Sequence, residues 1–373
     1  MILRSRLHVV ELYAGTARSC EPFRHWKRCS TSLLVDNNPL AETTYLHNFS
    51  KAPYLLADLT QINPDQLLSR AGGRVDILLS CPPCQGFSDA GSRDPNDPRN
   101  SHMENFGRFA ERLKPLAIGV ENVPLAAGTG QFRKFVQRME HAGYAWTAGI
   151  LNGALHGSSQ SRQRLAYIAI RGDVKTVPRI PPPTHGGSRK YFSYRTGLMT
   201  YIESDRVSLL GLTPAAHRIR KALPYQEDGL GDRNIPNVDE ALEGLPRIGM
   251  PEAERLSHRQ WNHTRSQLRR MGNVPEGGRW YGGQDYYSQC YGRLHRRGLA
   301  RTITTFFSNP GSGRFWHPTE NRALTLREAA RIQGFPDSFI FLPPFSRSSR
   351  LVGNALDSSI SSIVYNVIRD CLE

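Results

Sequence analysis

Over its first 170 positions the chain alternates between short apolar runs and longer segments of mixed polarity. The runs are His8–Tyr13, Leu33–Val35, Tyr54–Leu56, Val75–Leu79, Ala117–Val120, Ala148–Leu151 and Leu165–Ile170. A strand with one wet face alternates apolar and polar residues, whereas a strand buried on both faces reads as a continuous apolar run. The pattern therefore predicts buried parallel strands joined by helices. Asn38-Pro39 supplies an N-cap and a first helical residue between two of them. The expected fold is a doubly wound, Rossmann-like α/β sheet, whose ligands bind outside the carboxyl ends of the strands.

After residue 170 the pattern ends. Residues 171–310 are rich in Pro, Gly, Arg and Tyr, beginning at Pro178 and Pro181-Pro182-Pro183, and their periodicity is weak. They read as a smaller, irregular domain. Helical character returns near residue 320, where Leu324, Leu326, Ala329, Ala330 and Ile332 form a stripe that ends at Gly334 and Pro336. A last helix is expected over 358–371, capped by Ser358 or Ser359. The expected division is a first domain over 1–175, an inserted domain over 176–315, and a return to the first over 316–373.

Composition narrows the class. Of 373 residues, 39% are hydrophobic and 22% charged, a soluble globular balance. No run approaches the ~18 apolar residues of a membrane helix. The segment Met1–Arg6 lacks the apolar stretch of a signal peptide, so a cytoplasmic protein is expected. The net charge of +15 is uneven: +5 over 1–170, +9 over 171–310 and +1 over 311–373. A basic middle segment suggests a polyanionic partner, most simply nucleic acid, against the plainer reading of a solvated basic surface. Cys81-Pro82-Pro83-Cys84 has CxxC spacing, but a structural zinc site needs a second ligand pair and none is present. No metal is expected.

Candidate chemistry collects at the predicted strand ends. The turn Tyr13-Ala14-Gly15-Thr16-Ala17 follows strand one and suits close approach of a nucleotide-like ligand. An acidic residue, Asp36, ends strand two, where it suits ribose hydroxyls, and Asp58 is a third polar strand end. Each also reads as an ordinary turn or cap residue. The fourth strand runs into a rigid diproline followed by Cys84, a setting that lowers a thiol pKa and exposes it. The fifth ends in Glu121-Asn122, a carboxylate able to donate a proton to a ring nitrogen. Arg162 and Arg164 alternate on the way into a strand, which would point both guanidiniums into one cleft.

Taken together, these motifs resemble the cytosine-5 DNA methyltransferases. The matching elements are Pro83-Cys84-Gln85, Glu121-Asn122-Val123, Gln160 to Arg164, Arg322 to Pro336, and Gly353-Asn354-Ala355, in family order over about 7–170 and 300–373. The resemblance implies S-adenosylmethionine as methyl donor, held by Tyr13, Ala14, Gly15, Asp36, Asn37, Asp58, Leu59, Pro83, His102, Asn354 and Leu356. It implies a Cys84 thiolate adding to C6 of a flipped-out cytosine, with Glu121 at N3 and Arg164 near the C2 carbonyl. Arg162 would orient Glu121, Cys84 or a nearby phosphate. Gln85, Ser88, Asn122, Gln160 and Thr304 would face the substrate, and 85–101 would form a mobile lid. The middle segment would be the target-recognition domain. Double-stranded DNA is the implied partner, met as a monomer, with a cognate restriction endonuclease as companion. Two alternatives stand beside this: a tRNA cytosine-5 methyltransferase, whose Cys-Phe-Thr element is missing here, and a non-catalytic DNA-binding paralogue. Two departures from the family pattern stand out. Ala17-Arg18 replace two glycines of the first turn, and Asp357-Ser358-Ser359 replaces a proline or apolar residue after the late Gly-Asn turn.

Overall fold

The computed structural model describes residues 6–50, 53–83, 101–186, 189–194, 197–201, 230–281 and 290–373. The apolar runs become strands β1 (Leu7–Leu12), β2 (Cys29–Asp36), β3 (Tyr54–Leu56), β4 (Ile77–Ser80), β5 (Ala117–Asn122) and β6 (Tyr144–Asn152). A two-residue β7 (Gln160–Ser161) then precedes the long β8 (Gln163–Arg171). Seven of them form one sheet in the order β3-β2-β1-β4-β5-β8-β6. The chain leaves β1 toward β2 on one side and returns to β4 on the other. That reversal opens a crevice at the carboxyl ends of β1 and β4.

One strand departs from the parallel expectation. β8 runs antiparallel to both β5 and β6. A parallel return needs a crossover of a dozen or more residues. Only ten residues, 153–162, join β6 to β8, so the pair closes as a long hairpin.

Helices cover both faces of the sheet. On one lie α3 (Pro64–Arg70), α4 (His102–Leu113) and α5 (Gly130–His141), which bury Leu67, Phe106, Phe109, Phe132 and Phe135 against Val10, Leu12, Leu78 and Ile118. The other carries α1 (Glu21–Arg24) and the final helix α11 (Ser358–Leu372), whose Ile360, Val364 and Ile368 meet Leu7, Val9, Ile77 and Leu79. The cap of α11 is Asp357, which accepts from Ser359 N, and not Ser358 or Ser359 as expected. A carboxylate reaches the first free N–H groups as well as a hydroxyl does and complements the helix dipole. Between β2 and β3, α2 (Pro39–Asn48) is capped by Asn38 as its sequence predicts.

A third apolar core joins the end of the chain to the middle segment. Helices α9 (Leu326–Ile332) and α10 (Phe345–Asn354) pack with Phe335, Phe339 and Phe341 against Val238, Leu294, Ile303, Phe307 and Phe315. The middle segment itself carries only short elements, among them α6 (Val238–Leu242), α7 (Pro251–Arg255) and α8 (Arg265–Gly272). Buried arginines hold its loops together. Arg293 donates to the carbonyls of Val274, His317, Glu320 and Met271 and to the Asn321 side chain.

Candidate active site

Strand register places the candidate residues on one rim. Leu12 pairs with Val35 and with Ser80, and Ser80 pairs with Val120. The next residue of each strand is therefore Tyr13, Asp36, Cys81 or Glu121, all emerging together at the carboxyl edge. Because β8 runs the other way, its first residues arrive at this same rim, beside the end of β5. A parallel strand would have carried Arg164 to the opposite edge of the sheet.

These ends surround a cavity of about 320 Å³, within the range of about 300–1,000 Å³ usual for small-molecule sites. Tyr13, Ala14 and Gly15 line it from the first turn, Asp36 and Asn37 from the end of β2, and Asp58 and Leu59 from the loop after β3. Pro83 and His102 close one side, Asn354 and Leu356 the other. Glu121, Asn122, Arg162 and Arg164 line the same space. Cys84, Gln85, Ser88 and residues 85–100 of the lid expected over 85–101 lie outside the described residues.

The first turn has an unusual backbone. Tyr13, Gly15 and Ala17 all adopt positive φ, at 55°, 50° and 55°. Glycine tolerates this conformation, whereas a side chain makes it costly. Asp36 holds the turn by accepting from Gly15 N at 2.8 Å, and also accepts from Asn38 N at 2.9 Å. Burial pushes its carboxyl pKa up, against the pull of those backbone bonds. Asp58 is different: bonds from the Thr60 backbone and hydroxyl hold its pKa down. Tyr13 reaches across to His102, with 3.1 Å between Oη and Nδ1 and the rings edge to face.

Of the Cys81-Pro82-Pro83-Cys84 pair, Cys81 lies among the described residues. The Cys81 thiol lies 3.2 Å from Ser19 Oγ. Burial, with Glu121 and Glu11 nearby, pushes its pKa well above the ordinary thiol value. A thiol that stays protonated is a poor nucleophile. Asn122 fixes the start of the Pro-Pro-Cys loop, its amide 3.4 Å from the Pro82 carbonyl. Glu121 Oε1 sits 2.6 Å from Arg164 Nε as an ion contact outside hydrogen-bond alignment, and both side chains are nearly buried.

Three expectations change. Arg162 was expected to point its guanidinium into the cleft beside Arg164; it lines the cavity, but its terminal nitrogens are bound to backbone. It is 1% exposed, and it donates to the carbonyls of Ile303, Gly353 and Ala355 at 2.9–3.1 Å. The alternation of the two arginines is broken because Arg162 falls between β7 and β8. Gln160 was expected to face substrate, but it is fully buried. Its amide group binds Ile332 O, Gln333 Oε1 and Asp357 Oδ2, and its oxygen accepts from Ile303 N. Thr304 lies behind the cavity wall, where its backbone crosses Gly353. A Cβ at Gly353 would stand 2.4 Å from the Thr304 carbonyl carbon, so only glycine fits.

Sequence reasoning passed over Glu11 and Ser19, and noted Arg18 only as a departure in the first turn; all three also line the cavity. Glu11 accepts from Cys20 N at 2.9 Å, and burial pushes its carboxyl up to about 8. A charged residue within an apolar strand run was the available signal.

Comparison with known proteins agrees with this geometry. A type II methylase, M.HgiDII from Herpetosiphon aurantiacus, is 26% identical over 347 residues, spanning 91% of this chain and 88% of the relative. Type II methyltransferase M.DdeI from Desulfomicrobium norvegicum is 28% identical over 352 residues, covering 90% and 80%. Among solved structures, the Entamoeba histolytica methyltransferase EhMeth superposes with a TM-score of 0.65 at 14% identity, over 99% of this chain and 100% of that one. The S. pombe Dnmt2 methyltransferase gives 0.62 at 16%, over 98% and 99%. These two likenesses speak to the fold. Residues 7–369 match the C-5 cytosine-specific DNA methylases from end to end, and the chain belongs to that family.

Proposed function

We propose that the rim cavity binds S-adenosylmethionine and that Cys84, Glu121 and Arg164 carry the methylation of C5 in a flipped-out cytosine of duplex DNA. The observation that carries this reading is the convergence of the first turn, Asp36, Asp58, Glu121 and Arg164 on one cavity at the switch point of the sheet. The lining fits the donor: carboxylates suit a cationic sulfonium ligand, and Tyr13 offers an aromatic wall. When bound, the donor supplies an electrophilic methyl group.

C5 of cytosine is a weak nucleophile. Addition of the Cys84 thiolate at C6 pushes electrons toward C5, which then takes the methyl group. A base removes H5, and the thiolate leaves as the ring is restored. Glu121 hydrogen-bonds N3, where negative charge would otherwise build up during addition. Arg164 holds the Glu121 carboxyl in place and reaches the C2 carbonyl. Arg162, in contrast, is a positioning residue: it ties the Ile303 segment and the 353–355 turn to the strand that bears Arg164.

Residues 1–175 and 316–373 would make up the catalytic unit and 176–315 the recognition unit, which carries most of the excess positive charge. The chain would act as a monomer, with a cognate restriction endonuclease as companion. Among the described residues no helix is long and apolar enough to cross a membrane, which accords with work on cytoplasmic DNA.

The deciding experiment is methylome sequencing of an unmethylated host expressing the chain, with Cys84→Ser as control. Methylated cytosines at one short DNA sequence, lost in the variant, are expected; methylation confined to tRNA would overturn the DNA assignment. A duplex with 5-fluorocytosine at that site should then trap the protein covalently at Cys84, because fluorine blocks the final elimination. An adduct mapping to Cys81 would refute the nucleophile. Glu121→Gln should slow single-turnover methylation strongly, at the lower end of a range on the order of 10²–10³, and Glu121→Ala more. Donor affinity should be nearly unchanged in both. Full turnover in a merely less stable protein would reduce Glu121 to a turn residue.

A further inference from the structure

The two departures from the family pattern, Arg18 and Asp357, are both buried, at 4% and 1% exposure. Arg18 donates to the Glu21 carboxylate and, at 2.7 Å, to the Gly334 carbonyl, and its guanidinium lies 4.5 Å from the centre of the Phe335 ring. The residue before Gly334 continues the connection. Gln333 donates to Ala355 O and accepts from Gln160 Nε2 at 2.6 Å. The same Gln160 nitrogen reaches Asp357 Oδ2 at 2.9 Å, and Asp357 also accepts from Ser158 Oγ at 2.7 Å. Hydrogen bonds and the Gln333-Gly334 backbone thus connect the first turn, through the end of α9, to the segment that carries Asn354 and Leu356. The first turn and that segment both line the cavity.

We infer that Arg18 and Asp357 are coupled positioning residues, which lock the first turn to the Asn354 turn and so set the two walls of the methyl-donor site as one unit. This rests on the reading of the cavity as that site. An arginine buried where the family has glycine is costly unless opposite charge surrounds it. Burial lowers the Arg18 pKa, and the carboxylates of Glu21, Asp357 and Glu11 act in the opposite direction. The anchor also accounts for Ala17, which holds a positive φ without being glycine. Such strain persists only where the surroundings over-determine it.

A double-mutant cycle on the full chain tests the coupling. The variants are Arg18→Met, Asp357→Asn and the pair. Three quantities are read: S-adenosylmethionine Kd by calorimetry, melting temperature, and single-turnover methylation at saturating donor. Each single variant should weaken donor binding about tenfold, the equivalent of losing roughly 1.4 kcal/mol. The saturated rate should stay within about threefold. The pair should lose clearly less than the product of the singles, because each single already breaks the shared connection between the two segments, which the second substitution cannot break again. Multiplying losses, or a lower melting temperature with unchanged Kd, would overturn the coupling. Where Arg18→Met fails to fold, Arg18→Lys replaces it in the same cycle: the charge stays, the fork is lost, and donor binding should still weaken. Failure of the unmodified chain to bind the donor would instead remove the donor-site reading itself.

Discussion

Glu11 is a carboxylate set in an otherwise apolar strand, with its side chain against the Ser19–Cys20 backbone. Burial raises its pKa to about 8, so the folded chain keeps a proton that the unfolded chain has released. Glu11 takes nothing from native stability below its unfolded value of about 4.5, and lowers stability progressively as pH rises from there through about 8. Glu11→Gln should therefore gain on the unmodified protein between pH 5.5 and 8.5, by on the order of a few kcal/mol. Denaturant melts at both pH values measure this. A stability gap independent of pH would show that Glu11 is ionised in the fold. Burial acts on Cys81 in the same direction: its thiol packs against Ser19, and burial with Glu121 and Glu11 nearby pushes its pKa well above the ordinary thiol value.

Among the elements, α9 shows how a motif that reads as function also serves the fold. Thr325 caps it and Glu328 completes a capping box. Glu328 is 2% exposed and receives both Arg322 nitrogens at 2.7 Å. Burial opposes ionisation of Glu328, but the Arg322 bonds and charge overcome it and hold the pKa down. Arg322→Met leaves that carboxylate unpaired in the interior and should cost about 3–5 kcal/mol. Adding Glu328→Leu should recover much of the loss, since an apolar pair of similar volume replaces two desolvated charges. Urea midpoints of the single and double variants decide it; a double variant no more stable than the single would count against a pair-specific effect.

At the level of the whole molecule, charge and fold are less separable than the count of +15 suggests. Several arginines of the basic middle segment are not surface charges. Arg293 is buried and bound to carbonyls, and the chain continues into Arg314, equally buried and held by the carbonyls of Gly277, Gly278 and Arg293. DNA affinity should still fall steeply with salt, by about 0.9 in log K per log salt for each phosphate contacted. Exposed Arg265 and Arg269 neutralised singly should each lower that slope by about one contact where they touch phosphate, and Arg293→Lys should unfold the segment without that signature. Binding titrations at several salt concentrations read the difference, and a flat response would refute electrostatic binding.

Much of this protein was legible in one dimension. Continuous apolar runs require strands buried on both faces, and helical spacing between them requires a wound sheet, so β1 to β6 and the rim of polar strand ends follow from pattern alone. The family resemblance of Pro83-Cys84-Gln85, Glu121-Asn122 and the late Gly-Asn turn implied the chemistry. Tertiary structure decided what local sequence does not encode. The short connection after β6 reverses β8, and only that reversal brings Arg164 to Glu121. Identical residue types then part ways by environment: both line the cavity, but Arg164 meets Glu121, while the terminal nitrogens of Arg162 bind three carbonyls. Gln160 meets Asp357, and Arg18 meets Gly334, across more than 100 residues of chain, and a periodic pattern carries no record of such distant partners. Hydrophobic periodicity specifies which face of an element is buried; which polar group awaits it there depends on where the rest of the chain has folded.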